Sequence, residues 1–427
     1  MQIEITKRRN ISFYILMTIL LFSYIYQYVL SFVGIPEQLH STRLSAIILI
    51  IYALSSYNTI SSKNIYKGTI AYNQFRKYIL ICSLLTFISI LLYILIGKRE
   101  GSHAMESMLN IMIFGLPVIW AISVIFNDVD EIMCILLYVG ILQSIAIIIC
   151  LADPNIATII DITLNSSDTD AWYSSHRNGY AGGIGCITSS GVVKFSVSML
   201  ACIYLYLKSS KKIYIILYLF FSVIASLIAR TGLLYALIGL FFIIYVSPKK
   251  TVFLKFIFTM LFIGLCVFLF VPEKELMGFI DERFGRYEYL QDESVDNGFF
   301  YNYFVSEDVH IPPLSIDTFF GVGMLSGTSG NGYIVNIDGG FLRFYSAFGL
   351  PITIMYYFFL MNTFWKLARN QKNNICKFIM YLFYIFIIIA EFKEPSFLSI
   401  WSLTLYFSLA LILDNKVYNL YSSVRTE

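Results

Sequence analysis

The fold is decided by residues 208–250, which read KSSKKIYIILYLFFSVIASLIARTGLLYALIGLFFIIYVSPKK. The segment contains two apolar runs and has a strongly basic sequence on each side. Lys and Arg collect in the cytoplasmic loops of membrane proteins, so both flanks are expected on the same side of the membrane. The chain between them must then cross the membrane an even number of times. We therefore predict a hairpin of two helices that turns at ARTG, with Arg230 at its outer tip.

The rest of the chain also has the composition of a membrane protein. Of its 427 residues, 58% are hydrophobic and only 13% are charged, and the mean hydropathy is +0.73. Soluble domains carry roughly 25% charged residues. The composition therefore excludes the soluble globular class.

Apolar runs between charged breaks predict a single all-α integral membrane domain, residues 1–427, with about a dozen transmembrane helices. A bilayer core of roughly 30 Å needs about 20 apolar residues per helix. The basic residues collect on the side of the two termini, which are therefore predicted to be cytoplasmic. The predicted spans are Ile11–Val33, Leu44–Ile60, Tyr78–Gly97, Ser107–Phe126, Ile132–Leu151, Cys186–Leu207, Ile213–Ala229, Thr231–Val246, Phe253–Val271, Phe341–Asn362, Phe378–Ala390 and Ser396–Leu413.

Two long loops are predicted on the outer side, at residues 152–185 and 272–340. The other connections are short, so chemistry on a soluble or headgroup-level substrate is expected at this side. The second loop begins with apolar residues at helical spacing, which would let it lie in the membrane interface with Arg283 and Arg286 at its edges. The glycine-rich stretch GVGMLSGTSGNGYIVNIDGG follows.

Two arginines have positions that membrane stability does not explain. Arg230 lies between two apolar helices, where a charge is costly and needs a partner. It is either an anion anchor, because a guanidinium offers planar donors to a phosphate, or a snorkelling cap on the hairpin. Arg343 lies in the first turn of a predicted span, where its charge opposes the helix macrodipole. It either contacts an anion or pairs with Asp338.

Candidate acid–base groups lie in the predicted outer loops. In AWYSSHRNGYAGG, His176 could be a general acid or base near neutral pH, or a solvated loop residue. Asp338 could deprotonate an acceptor hydroxyl or cap the next helix. Lys194 is the only clear charge in the middle of a predicted span.

Several kinds of site are excluded by missing motifs. The sequence has no nucleotide-binding glycine motif, no HExxH zinc motif and no Asp-rich metal motif. Its seven cysteines show no metal-ligand spacing. We therefore expect a reaction without metal, cofactor or ATP, and no nucleic-acid partner.

Two stretches resemble the Wzy-type O-antigen polymerases and, more broadly, the superfamily that also holds the O-antigen ligases. They are IARTGLLYALIGLFF in the hairpin, and GVGM with DGGFLRFYSAFGLP before a late span. The resemblance implies a GT-C-like bundle in the bacterial inner membrane. It also implies that the substrates are undecaprenyl-diphosphate-linked repeat units in the periplasmic leaflet, and that a chain-length regulator could be a partner. The R-x10-G spacing of some members' loops is absent, which weakens an account in which two matched loops pass the chain between them. Ligases usually have a loop histidine just before the late span, and the nearest candidate here, His310, lies about thirty residues upstream of Phe341, which favours polymerase over ligase.

On this resemblance, the growing chain would move from its lipid diphosphate to the non-reducing end of a new unit. The step needs cations to hold the diphosphate and a base to take the acceptor proton. Arg230 and Arg343 fit the first role, and Asp338 or His176 fits the second. Further substrate contacts are expected from polar loop residues, namely Arg177, Asn178, Arg283 and Arg286. The alternatives are an O-antigen ligase and a lipid-linked oligosaccharide flippase or other transporter, although a transporter would need more charges at the membrane midplane.

Overall fold

The computed structural model describes only part of the chain. The predicted span Phe253–Val271 and most of both predicted loops lie outside the described residues. Those residues are 9–28, 39–60, 69–96, 102–126, 128–153, 155–156, 159–160, 163, 184, 189–228, 231–246, 316–323, 340–392 and 396–424.

Within these ranges the regular structure is helical, and each predicted span that they cover contains one or two helices. The predicted span Ile11–Val33 is too long, because its helix ends at Ile25, and Tyr26 has an extended backbone. In chain order the helices are α1 (Ile11–Ile25), α2 (Ser41–Ile60), α3 (Ile70–Ile96), α4 (Ser102–Asn110), α5 (Leu116–Ile125), α6 (Val129–Ala152), α7 (Ser189–Ser209), α8 (Lys212–Ile228), α9 (Thr231–Val246), α10 (Ile316–Phe320), α11 (Gly340–Phe348), α12 (Leu350–Arg369), α13 (Asn374–Glu391) and α14 (Ile400–Val424).

The helices have the lengths and surfaces of a membrane bundle. Among the described residues, five segments are long and apolar enough to cross a membrane, namely Ile70–Leu95, Ala104–Ile125, Val129–Ala152, Gly191–Ser209 and Asn374–Glu391. Large apolar side chains on the outside of the bundle are exposed, as Leu80, Leu84 and Phe87 are on α3. Hydroxyl side chains such as Ser89 and Ser198 are buried inside it. This distribution is that of an α-helical, multi-pass membrane protein.

At one end of the bundle, polar side chains form hydrogen bonds and an ion pair that connect the starts of α1 and α6 with the ends of α5 and α7. Arg9 precedes α1 and donates to the carbonyl of Ile125 at the end of α5, at 2.6 Å. Its Nε lies 3.5 Å from the carboxylate of Glu131 in the first turn of α6. Tyr204, near the end of α7, donates to Asp130 at 2.8 Å. We call this the basic end, because the predicted basic loops adjoin it.

The opposite end is marked by the end of α1 and the start of α14. Tyr24 donates to Thr404 at 3.0 Å. Thr404 and Ser408 donate to the carbonyls of Gly115 and Ile119, both at 3.4 Å, so α14 runs parallel to α5. We call this the cavity end. The directions of α1, α5, α6, α7 and α14 are those that alternating spans predict.

Helices α8 and α9 form the predicted hairpin. The Tyr218 hydroxyl donates to the carbonyl of Ala236 at 2.5 Å. Gly232 lies so close to the backbone of Ala225 that a Cβ at this position would overlap it. The chain therefore reverses between the two helices, which confirms the predicted turn. Arg230 itself lies outside the described residues.

Two predicted spans are interrupted. Within Ser107–Phe126, residues Ile111–Gly115 form a π-helical turn, an irregularity that is frequent at functional sites. The prediction of Phe341–Asn362 as one helix is wrong, because the chain breaks at Gly349 (φ 80°, ψ 166°). That conformation is open essentially only to glycine. Pro351, in the first turn of α12, then favours a new helix start.

Candidate functional site

A cavity of about 260 Å³ lies among the helices at the cavity end. Most of its lining side chains carry polar atoms, and the lining residues, all within the described chain, include no carboxylate. A polar cavity inside an apolar bundle is a candidate binding site, because buried polar groups are costly unless they have partners. The cavity is lined by Tyr24, Ile25, Gln27, Thr42, Ser107, Asn110, Val193, Lys194, Ser396, Leu398, Ser399, Ile400 and Trp401.

Lys194 supplies the positive charge in the wall of this cavity. The residue lies in the second turn of α7 and is half-buried. The predicted span Cys186–Leu207 put this charge deep in the membrane, whereas the structure places it close to the cavity end. An ammonium group in a membrane helix is costly, and a polar cavity beside it lowers that cost.

Two further basic residues lie at the start of α2. The guanidinium carbon of Arg43 lies 5.7 Å from the centre of the Phe114 ring, and its backbone N–H donates to the carbonyl of His40 at 3.0 Å. Burial, and then the positive charges of Arg43 and Lys194, lower the pKa of His40 from its ordinary 6.5 to about 4. His40 is therefore neutral near pH 7, and its surroundings disfavour a further positive charge.

Buried polar atoms at the start of α2 have no hydrogen-bond partner among the described residues. They include Oγ1 of Thr42 and Nδ1 of His40. The Thr42 side chain lines the cavity and is only 5% exposed. Leaving a buried hydroxyl without a partner costs about 1–3 kcal/mol. A polar group bound in the cavity could therefore gain a hydrogen bond from Thr42.

Four helices that line the cavity begin at this end of the bundle. They are α2, α4, α7 and α14, and α1 ends there. The first N–H groups of a helix have no partner within the helix, and its start carries the equivalent of about half a positive charge. These starts contribute positive partial charge, and the end of α1, which lines the cavity at Tyr24 and Ile25, contributes negative partial charge.

A buried carboxylate lies beside the segment that forms part of the cavity wall. Glu391, at the end of α13, is fully buried. It accepts hydrogen bonds from the Tyr357 hydroxyl at 2.5 Å and from the backbone N–H of Phe397 at 2.7 Å. These bonds fix the chain just before Leu398 and Ser399, which line the cavity. Glu391 thus positions one wall of the site.

Helix α11, which carries Arg343, is held by aromatic packing. The Phe344 ring stacks on Tyr356 with centroids 4.6 Å apart, and Phe341 lies 4.6 Å from the ring of Tyr357. Arg343 lies in the first turn of α11, as predicted, and is half-buried. Because Tyr357 also binds Glu391, the helix of Arg343 and the carboxylate share one supporting side chain.

The end of α11 is capped by the chain that follows α10. The backbone N–H groups of Val322 and Gly323 donate to the carbonyls of Ser346 and Ala347, at 2.9 and 3.0 Å. Gly321 (φ 86°) fits against the same turn, where a Cβ would overlap the backbone. The structure thus brings the first three residues of GVGM, Gly321, Val322 and Gly323, into contact with FYSAFGLP, two parts of one sequence pattern.

Most of the predicted site residues lie outside the described chain. Only Arg343 is described, so the proximity of the predicted groups stays a prediction. Two described helices begin close to predicted site residues. Helix α9 begins at Thr231, next to Arg230, and helix α11 begins at Gly340, two residues after Asp338. The predicted site residues outside the described chain are Arg230, Asp338, His176, Arg177, Asn178, Arg283 and Arg286.

Sequence reasoning missed the group at the start of α2 and the buried Glu391. Residues 40–43, HSTR, look like an ordinary helix start. Arg43 could have been found, because it lies on the predicted outer side, where the positive-inside rule does not explain it. Glu391 follows a predicted span and carries no signal that separates it from a solvated loop residue.

The described residues contain no group of three or more His, Cys, Asp or Glu that could hold a metal ion. The expectation of a metal-free reaction stays a prediction. Comparison of the chain with protein-family models, curated proteins and solved structures finds no match. The resemblance to O-antigen polymerases therefore rests on the two sequence stretches and the helical architecture.

Proposed function

We propose that the chain is a metal-independent glycosyltransferase that polymerises undecaprenyl-diphosphate-linked oligosaccharide repeat units into O-antigen polysaccharide. It would act at the periplasmic face of the bacterial inner membrane, with both termini in the cytoplasm. The growing chain would be transferred to the non-reducing end of each new unit.

The observation that carries this proposal is the grouping of basic residues at the cavity end. Lys194 lines the cavity, and Arg43 lies near it at the start of α2. Helix α11, which carries Arg343, packs through Phe341 on Tyr357, the residue that donates to Glu391. Positive charge on the predicted outer side does not help to orient a membrane protein. It does suit a substrate whose leaving group is a diphosphate, because cations stabilise the charge that develops as that group departs.

The reaction balances without a cofactor. The acceptor hydroxyl attacks the anomeric carbon at the reducing end of the growing chain and forms a new C–O bond. The bond from that carbon to the diphosphate oxygen breaks, and undecaprenyl diphosphate leaves with the electron pair. The hydroxyl proton passes to a base, for which Asp338 and His176 are the candidates. Arg230 and Arg343 would hold the diphosphate.

Four polar loop residues would help to hold the glycan: Arg177, Asn178, Arg283 and Arg286. A regulator of chain length is a possible partner, because nothing in a single transfer step limits the number of repeats.

Deletion of the gene separates the proposed function from its alternatives. We expect surface glycan that is limited to one repeat unit, measured by electrophoresis of the lipopolysaccharide. Loss of all repeat units would instead indicate a flippase. Polymer that accumulates on its lipid carrier would indicate a ligase.

Complementation of the same strain tests the arginines. Arg230→Ala and Arg343→Ala should each insert into the membrane but fail to restore polymer. Arg369→Ala is the matched control, because Arg369 is an exposed arginine in the last turn of α12, far from the cavity end. Normal polymer ladders from both Arg230→Ala and Arg343→Ala would contradict the assignment of these two residues to the diphosphate.

A further inference from the structure

We infer that Gln143 is a positioning residue that holds the end of the first predicted outer loop inside the bundle. Nε2 of Gln143, in α6, donates to the backbone carbonyl of Ile184 at 3.1 Å. The predicted loop, residues 152–185, carries His176, so this bond fixes one end of that loop against α6. The place of Ile184 inside the bundle is independent of the proposed function, whereas the use of the loop in catalysis rests on it.

Gln143 lies well inside the apolar part of α6. It is nine positions before Ala152, where α6 ends, which corresponds to about 13 Å along the helix. Three large apolar side chains of α6 between these two residues, Ile145, Ile148 and Ile149, are exposed, as on a lipid-facing surface. The apolar layer therefore continues past Gln143 for about another 9 Å along the helix.

The start of α7 lies further out than Gln143. The antiparallel helices α6 and α7 touch at Gly140 and Ser198, where a Cβ on the glycine would lie 2.5 Å from the Cβ of the serine. Gly140 is about 18 Å from the end of α6, and Ser198 is about 13 Å from the start of α7 at Ser189. Helix α7 therefore begins about 5 Å short of the end of α6, and Gln143 lies about 8 Å deeper than this start. Ile184, which the Gln143 side chain contacts, lies at or below the level at which α7 begins.

The chain thus enters the apolar layer at Ile184, five residues before α7 begins. Ile184 is in a turn rather than a helix, and its side chain packs against the apolar core of the bundle. Non-helical backbone at this depth occurs in membrane proteins only where protein surrounds it or where it lines a water-filled cavity, because lipid offers no hydrogen bonds. The amide of Gln143 supplies such a hydrogen bond to a carbonyl that lies outside the helices.

The neighbouring residue shows that the bond is specific to Gln143. Gln143 and Ser144 are both buried in an apolar stretch of α6, where a polar group is costly unless it has a partner. Ser144 donates to the carbonyl of Gly140 in its own helix at 2.8 Å. Gln143 instead donates to a residue 41 positions away in the chain. Its bond therefore fixes the end of the loop rather than the shape of α6.

This bond limits how far the loop can move its candidate base from the bundle. His176 is eight residues before Ile184, and an extended chain spans at most about 3.6 Å per residue, so His176 stays within about 29 Å of the bond. Without the bond, the nearest described residue on this side is Ser189, thirteen residues from His176, and the limit rises to about 47 Å. On the proposed function, the shorter limit keeps the loop within reach of the cavity, part of whose wall is formed by α7.

Thiol labelling tests the position of Ile184 without any measurement of polymer. The background is the full-length protein in detergent with its seven native cysteines replaced by alanine. A single cysteine is introduced by Ile184→Cys or by Asn155→Cys, where Asn155 is an exposed residue of the same predicted loop. A maleimide on a polyethylene glycol chain too large to enter the bundle should label Ile184→Cys at least about tenfold more slowly than Asn155→Cys, because it reacts only when the segment opens. Equal rates would overturn the inference.

Substitution of Gln143 tests its part in holding the segment. Gln143→Met keeps a long, flexible side chain and removes the amide, so labelling of Ile184→Cys should become severalfold faster and labelling of Asn155→Cys should stay the same. Ser144→Ala is the matched control and should change neither rate, because it removes a hydrogen bond within α6. If Gln143→Met fails to insert, Gln143→Asn, which keeps an amide but is one methylene shorter, should have the same effect. Unchanged labelling of Ile184→Cys in an inserted Gln143 variant would refute the assignment.

Polymer formation tests the use of the loop in the reaction. In the deletion strain, Gln143→Met should restore less polymer than Ser144→Ala, and with purified protein it should lower kcat more than it raises KM, because it misplaces a candidate base. Faster labelling together with normal polymer would overturn the positioning role. A deletion strain without the polymerase phenotype would reject the proposed function, and the labelling rates would still decide where Ile184 lies.

Discussion

The surroundings of His40 at the cavity end control the protonation of its imidazole. It precedes the first turn of α2, and both Arg43 and Lys194 oppose its protonation. Burial adds the larger effect, so the folded protein holds this imidazole neutral down to a pH of about 4. The unfolded chain takes up the proton at about pH 6.5. Between about pH 4 and about pH 6.5, the unfolded chain therefore binds a proton at His40 that the folded protein does not bind.

This difference predicts how stability depends on pH. The free energy of unfolding should be largest above about pH 6.5 and should fall as the pH drops towards about 4, because only the unfolded chain binds the proton in this window. We expect the thermal midpoint of His40→Gln to fall less than that of the wild type between about pH 7 and about pH 5. The measurement is a thermal unfolding series in detergent. Equal falls in the two proteins would contradict the assigned pKa.

At the scale of single elements, α11 depends on two glycine conformations. Gly321 and Gly349 both have positive φ, and each lies where a Cβ would overlap the backbone of the other's segment. The resulting contact caps α11 and sets the position of Arg343. The structure therefore joins the GVG and FG parts of the sequence pattern, and their contact holds α11 in place.

Substitution of Gly349 tests this dependence. Gly349→Ala should lower the thermal midpoint and the yield of polymer, because the residue's φ and ψ cost an alanine about 1–3 kcal/mol and its Cβ overlaps Phe319. Gly115→Ala is the matched control, since its Cβ would lie at an ordinary 3.6 Å from Ile400. A Gly349→Ala protein with normal stability and normal polymer would show that the break does not position Arg343.

The sequence predicts helices better than their interruptions. Apolar runs mark the spans because each helix must cover the width of a bilayer, and the α8–α9 hairpin follows from charge alone. The break at Gly349 and the π-helical turn Ile111–Gly115 were not predicted, because both depend on contacts with distant segments. Thr404, for example, donates to the carbonyl of Gly115 from the other end of the chain.

At the scale of the whole molecule, the two ends of the bundle differ in chemistry. Ion pairs at the basic end, such as Lys208 with Asp130, satisfy the charges locally. At the cavity end, Lys194 lines a cavity, and Arg43 lies near enough to affect His40 beside it. The sequence predicts chemistry on the outer side and Arg343 among its residues, and both stay predictions. It did not identify the cavity, because its walls come from helices far apart in the chain.

This division of the molecule leads to one direct test of the proposed function. The purified full-length protein is reconstituted in vesicles with undecaprenyl-diphosphate-linked repeat units and a chelator of divalent metals. We expect a ladder of lipid-linked glycans that differ by single repeat units, with release of undecaprenyl diphosphate, because transfer from an activated diphosphate needs only cations and a base. Repeat units that remain unjoined in the wild-type vesicles, with or without added metal, would contradict the account.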